Sequence, residues 1–169
     1  MNGKVKPRIG FLFHDPGGRL ARAVDVGALA AKFSKAKDVA GWEVLADLSS
    51  PGGMDSVREG VQTGRFNRLI WVGRFSGEQK KRAESDLAAA GLNRYLHEWC
   101  DPEEQGVRAE GGPRDILTQK AAVFLQMALA RARLLEPLEP VTIPGADAVL
   151  IVGAGTAGLH TAAALVDLG

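Results

Sequence analysis

Cysteine is almost absent from this chain: Cys100 is the one cysteine in 169 residues. A single thiol excludes an internal disulfide and any self-contained cysteine set for zinc or an iron-sulfur cluster. An excess of one charge is lacking too, since 21 Lys and Arg stand against 20 Asp and Glu, a net charge of +1. Without a basic excess, nucleic acid is not expected as the main partner. No apolar run approaches the roughly 20 residues that span a bilayer. The N-terminal MNGKVKPR has no signal-peptide core, so no membrane is expected and the cytoplasm is the default compartment. What remains, 46% hydrophobic and 24% charged residues, suits an ordinary globular chain, long enough for one domain plus a fragment.

Hydrophobic runs alternate with helical patterns. RIGFLFH, from Arg8 to His14, reads as a buried strand ended by the turn residues Asp15-Pro16-Gly17-Gly18. Asp25 is placed to cap a helix from Val26 to about Lys37. Trp42 to Leu48 reads as a second strand, Ser49 to Gly53 as a loop, and Met54 to about Gly64 as a short helix. Arg68 to Arg74 is a continuous apolar run with charges only at its ends, the pattern of a strand covered on both faces. A helix from about Gly77 to Ala90 closes at Gly91, and Tyr95 to Cys100 is a weaker fourth strand.

After a polar loop over 101–112, Pro113 suits the first turn of the longest helix, which runs to about Glu136 and stops before Pro137. Leu117, Ala121, Phe124, Leu125, Ala128, Ala132 and Leu135 form its apolar stripe, and its length is on the order of 34 Å. Residues 137–146 hold three prolines and form a semi-rigid linker. The expectation is a mostly parallel, four-stranded, three-layer α/β domain over 1–136, then the linker, then a different unit over 147–169.

That last unit carries the chemistry. Gly153-x-Gly155-x-x-Gly158 lies between a strand-like run, Ala148 to Val152, and a helix-like run, Ala157 to Leu168, the context a dinucleotide fingerprint requires. Gly153 makes the tight turn, Gly155 lets backbone approach a pyrophosphate, and Gly158 lets helix and strand pack closely. The helix N-terminus then faces the phosphates. The expected cofactor-binding residues are Gly153, Ala154, Gly155, Thr156, Ala157 and Gly158. The acidic residue expected for the ribose about 20 residues on is not reached before Gly169, so the chain starts a nucleotide-binding domain and does not finish it. The bland alternative is a glycine turn without a ligand.

The order of features resembles the N-terminal region of the A subunit of heterodisulfide reductase, an iron-sulfur flavoprotein. The resemblance is carried by RIGFLFH, VDVGALA, RLIWVGR, AAGLNRYLHEW, MALARARLLEPLEP and VLIVGAGTAG, which together cover essentially the whole chain. It implies an N-terminal domain followed by the first strand, turn and helix of an FAD-binding domain, with Gly153, Gly155 and Gly158 on the FAD pyrophosphate. It also implies electron transfer as the activity and other subunits of a redox complex as partners.

The family's cluster cysteines are not matched. Phe13 to Gly17 stand where a Cys-x-Cys-Gly turn is expected, and Ser49, Gly73 or Arg74, and Gly106 stand at the other cysteine positions. Cys100 is six residues too early for the last of these, so the resemblance implies a module without its iron-sulfur centre. Two other readings remain open: a non-catalytic adaptor that kept the α/β shape, and a nicotinamide-binding protein, since the same loop serves both cofactors.

Other residues have plainer readings. His14 and Asp15 end a central strand, where ligands gather in α/β domains, yet Asp-Pro-Gly is first of all turn chemistry. His97 and His160 have no partner spacing for a metal. Lys80-Lys81-Arg82 reads as a solvated face, and Trp42, Trp71 and Trp99 as core. Cys100, beside Asp101 and Glu103, has no cation to depress its pKa. No catalytic residue and no metal ligand is expected. One strand and one helix cannot bury their own apolar faces, so Val149, Ile151, Leu159, Leu165 and Val166 must find a surface elsewhere, and self-association of the isolated chain is expected.

Overall fold

Every side chain of Ile9–His14 is buried, and this strand, β1, is the axis of the sheet. In the computed structural model, which describes residues 5–46, 48, 52–107, 112–145 and 148–168, it pairs in parallel with both neighbours. The elements after it are α1 (Arg19–Ala23), α2 (Val26–Phe33), β2 (Val39–Leu45), α3 (Asp55–Gln62), β3 (Arg68–Val72), α4 (Gly77–Ala89), β4 (His97–Cys100), α5 (Arg114–Leu134) and α6 (Thr156–Leu168). A single 3-10 turn, Pro16–Gly18, precedes α1, and a π-helical turn, Glu103–Val107, follows β4. The chain divides into two units, Met1–Leu138 and Glu139–Gly169.

The sheet order in the first unit is β2-β1-β3-β4, all parallel. It is the expected four-stranded three-layer α/β architecture. Because successive side chains of a strand point to opposite faces, Phe11 and Phe13 enter one core while Leu12 enters the other. The first core lies under α1, α2 and α5 and includes Ile70, Val72, Leu117, Ala121, Leu125 and Ala132. The second lies under α3 and α4 and holds Leu45, Val57, Phe66, Leu69, Trp71 and Leu87. Burial of both faces explains why β1 and β3 are continuous apolar runs.

The helix ends follow local chemistry. Asp25 Oδ1 accepts from the Ala28 N–H at 2.9 Å, the expected cap. Ser76 and Gln79 form a reciprocal capping box at the start of α4. The Thr118 hydroxyl accepts from the Asp25 N–H and Arg114 donates to the Val24 carbonyl, fixing the start of α5 against the α1–α2 corner. At its other end, buried Arg68 donates through Nε and Nη2 to the Leu135 carbonyl, a group a helix terminus leaves without an intrahelical partner.

Several boundaries differ from the sequence pattern. The helix α1 falls where only a turn is expected, because the Asp15 carboxylate accepts from the Leu20 N–H at 2.6 Å and the Ala21 N–H at 3.3 Å. The strand β2 begins at Val39 rather than Trp42: its register beside β1 recruits Ala40 and Gly41, which have little strand propensity. Trp42 is 42% exposed, not core, because it alternates outward on an edge strand whose inward side chains are Gly41, Glu43 and Leu45. Trp71 and Trp99 stack on each other, with centroids 5.1 Å apart. Lys80 is no purely solvated charge either, its ammonium lying 5.4 Å from the Trp99 ring centroid.

In the second unit α6 forms over Thr156–Leu168, while Ala148 to Val152 enters it without pairing to another strand among the described residues. A strand exists only through its ladder, so an apolar alternation without a partner is not yet one. Among the described residues, no helix is long and apolar enough to cross a membrane.

Candidate functional sites: the glycine turn and the carboxyl edge of the sheet

The glycine turn is built by what its residues lack. Gly153 has φ +108°, in the range that L side chains rarely adopt. A Cβ on Gly158 would collide with the Gly153 carbonyl oxygen, so the first turn of α6 rests directly on the backbone of the turn. Ile151 lies 3.6 Å from the same point. Cβ positions on Gly153 and Gly155 meet nothing within 4 Å, which leaves open space beside both. The Leu159 N–H donates to the Gly155 carbonyl at 3.0 Å, and Thr161 donates back to Ala157, so the helix is regular from its first turn. Ala154, Thr156 and Ala157 lie exposed along the turn. His160 is exposed on α6.

The second candidate lies outside the carboxyl ends of β1 and β3. The chain leaves β1 for β2 at one edge of the sheet and leaves β3 for β4 at the other, so the following loops diverge. Open α/β sheets hold ligands in such a crevice. Here it is a cavity of about 430 Å³ lined by residues that include His14, Arg19, Arg74, Phe75, Ser76 and Glu103. Gly73 shapes it: φ is +122°, and a Cβ would stand 2.6 Å from the His14 carbonyl oxygen. A smaller recess of about 250 Å³ adjoins it through Gly73, Arg74 and Phe75 and continues to Lys80, Trp99 and Asp101.

His14 is 2% exposed and stacks on Phe75 with centroids 4.6 Å apart. Its Nδ1 lies 2.8 Å from the Arg74 carbonyl oxygen, and since a carbonyl only accepts, Nδ1 carries the hydrogen. Nε2 is buried without a hydrogen-bond partner among the described residues. Arg19 stands 3.0 Å from Glu103 Oε2, close enough for an ion pair, though that oxygen is not aligned for a hydrogen bond. Asp15 is spent on capping α1, so turn chemistry accounts for it.

Positions at which the family resemblance expects cysteines gather near this edge. Phe13 and His14 end β1, Gly73 and Arg74 follow β3, and Gly106 falls in the π-helical turn; Ser49 lies outside the described residues. Cys100 ends β4, buried, its Sγ 3.7 Å from Gln105 Oε1. Burial first, then the carboxylates of Asp101 and Glu98, push its thiol up to about 12. A thiol so held is protonated near neutrality. Among the described residues, no group of three or more His, Cys, Asp or Glu is placed to hold a metal ion. His97 sits edge-on to Trp99, its pKa lowered chiefly by burial.

Fold and sites together define a class: a doubly wound parallel α/β domain with a crevice at its carboxyl edge, joined in one chain to a glycine turn that opens a helix. The particular likeness is to the A subunit of heterodisulfide reductase, and it extends over nearly the whole chain. The chain is 29% identical over 164 residues to the A subunit of the H(2):CoB-CoM heterodisulfide,ferredoxin reductase of Methanothermobacter thermautotrophicus, covering 97% of this chain and 25% of that protein. It is 28% identical over 162 residues to the A subunit of the ferredoxin/F(420)H(2)-dependent CoB-CoM heterodisulfide reductase of Methanosarcina acetivorans, covering 96% and 20%. An Archaeoglobus profundus protein described as similar to the heterodisulfide reductase A subunit is 28% identical over 167 residues, covering 97% and 23%. The chain therefore spans a quarter or less of the length of these curated relatives. No protein-family model matches it.

Proposed function

We propose that this chain is part of an FAD-dependent electron-transfer oxidoreductase subunit of the heterodisulfide reductase A type. In this reading Gly153, Ala154, Gly155, Thr156, Ala157 and Gly158 hold the FAD pyrophosphate, and residues 1–136 form a docking domain for other subunits of a redox complex. The observation that carries it is the collision a Cβ on Gly158 would make with the Gly153 carbonyl. That contact is what the third glycine of a dinucleotide fingerprint provides, and the open space beside Gly153 and Gly155 leaves room for a pyrophosphate. Bound flavin would supply the redox chemistry. The chain's own contribution is to orient its phosphates at the start of α6. An iron-sulfur cluster in the N-terminal domain is not part of the proposal, because the buried thiol of Cys100 and the residues Phe13, His14, Gly73 and Arg74 offer no thiolate set.

The second reading is a non-catalytic adaptor of a redox complex. One observation favours it: Ala148 to Val152 has no strand partner among the described residues, and Leu150 and Val152 are almost fully exposed, so this segment is available to another chain. An absorption spectrum of protein purified without oxygen, with FAD titrated into the cofactor-free form, separates the two. Flavin bands with saturable binding support the first reading; a colourless protein indifferent to FAD supports the second.

A further inference from the structure

The cavity at the carboxyl edge has features that the flavin reading does not use. At about 430 Å³ it falls in the range of roughly 300–1,000 Å³ typical of small-molecule sites. Its walls are chemically divided. The apolar part comes from Pro16, Leu20 and Phe75, and the charged part from Arg19, Arg74 and Glu103.

The two helix N-termini nearby are partly satisfied from within: the Asp15 carboxylate accepts from the Leu20 and Ala21 N–H groups, and Ser76 and Gln79 form a capping box at the start of α4. Charge recognition falls to the guanidinium groups. Arg19 faces Glu103, whereas the exposed Arg74 side chain has no ion pair among the described residues. Among the residues that line this cavity one positive charge is thus left over, while the adjoining recess adds Lys80, Asp101 and Glu104.

The other unmet group is His14 Nε2. With the hydrogen held on Nδ1 by the Arg74 carbonyl, Nε2 is left without a hydrogen-bond partner among the described residues. A buried acceptor left unpaired is destabilising, and a bound donor removes that cost. Arg74 links both features, since its carbonyl orients His14 while its side chain lines the same cavity.

We propose that this cavity binds a planar organic anion of about mononucleotide size, with an N–H or O–H donor on His14 Nε2 and its anionic group on the Arg74 guanidinium. Phe75 and Leu20 would cover its apolar body.

The test uses AMP as probe on the 169-residue chain, with adenosine and inorganic phosphate in parallel, followed by calorimetry and amide chemical shifts. Saturable AMP binding is expected, at least tenfold tighter than either half-probe, with shifts at His14 and Gly73 to Gln79. Arg74→Ala should weaken AMP at least tenfold while leaving adenosine unchanged, and His14→Phe should weaken AMP and adenosine alike. Circular dichroism checks that both variants keep the fold. Absence of saturable binding would overturn the proposal, as would shifts confined to Gly153 to Gly158 or variants that bind as the parent chain does. Loss of FAD binding at the glycine turn would leave these shifts in place, so the two readings fail separately.

Discussion

Cys100 offers a sharp test of how this domain treats the one thiol it has. The side chain ends β4 within the core under α5, and Asp101 and Glu98 add negative charge beside it. All three influences favour the neutral thiol, pushed up to about 12 from an ordinary 9.0. At about pH 8 the thiolate fraction then falls from roughly one in ten to one in ten thousand. Since only the thiolate is nucleophilic, alkylation by iodoacetamide should run about a thousandfold slower in the native protein than in concentrated guanidinium. The sign for stability follows from linkage. A group whose folded pKa is raised contributes stability that is present below its unfolded pKa and lost as pH rises through the folded value. The protein should therefore lose stability between about pH 9 and 12, and Cys100→Ala should lose less over that interval. Native and denatured labelling rates within tenfold of each other would refute the argument.

Other consequences are simpler. Leu125→Ala removes a fully buried side chain from the α5 face and should cost about 2–5 kcal/mol in chemical denaturation. Arg68→Ala leaves the Leu135 carbonyl without its two donors and should cost about 1–3 kcal/mol, seen also as faster amide exchange in the last turn of α5. Burial raises the Glu98 pKa more than its partner Arg131, 3.1 Å away, lowers it, so the ionised carboxylate is a net liability. Glu98→Gln should leave stability near pH 7 unchanged or raised, and should flatten the decline that the parent shows as pH climbs through the raised value.

The elements most legible in the sequence are those where one physical requirement dominates. Arg68 to Val72 could only be a strand buried on both sides, and Asp25 before an apolar helical pattern could hardly be anything but a cap. In α5 the stripe Leu117, Ala121, Leu125, Ala128 and Ala132 is buried as its spacing predicts. The helix α1 was hidden because Asp15-Pro16-Gly17-Gly18 satisfies the rules for a turn, and the same aspartate also reaches two residues further to cap a helix. Trp42 misled because alternation identifies a strand without saying whether both its faces are covered.

The sites divide in the same way. Glycine spacing marks the turn at Gly153 to Gly158, where the positive φ of Gly153 and the close approach of Gly158 to the Gly153 carbonyl favour glycine. The carboxyl-edge cavity could be placed only at the end of β1. The unpaired Nε2 of His14 depends on the Arg74 carbonyl sixty residues away, a pairing no local pattern encodes. The nearest signal was a histidine ending the central strand of a parallel sheet.

The central claim is that the turn before α6 holds a flavin pyrophosphate, and Gly158→Val addresses it most directly. A Cβ there meets the Gly153 carbonyl, so the turn must open by displacing the first turn of α6. In the natural polypeptide that carries this sequence, purified without oxygen, the account predicts flavin bound by the parent and FAD affinity lowered at least tenfold in the variant, with the α/β domain still folded. Equal flavin content and affinity in both proteins would contradict it.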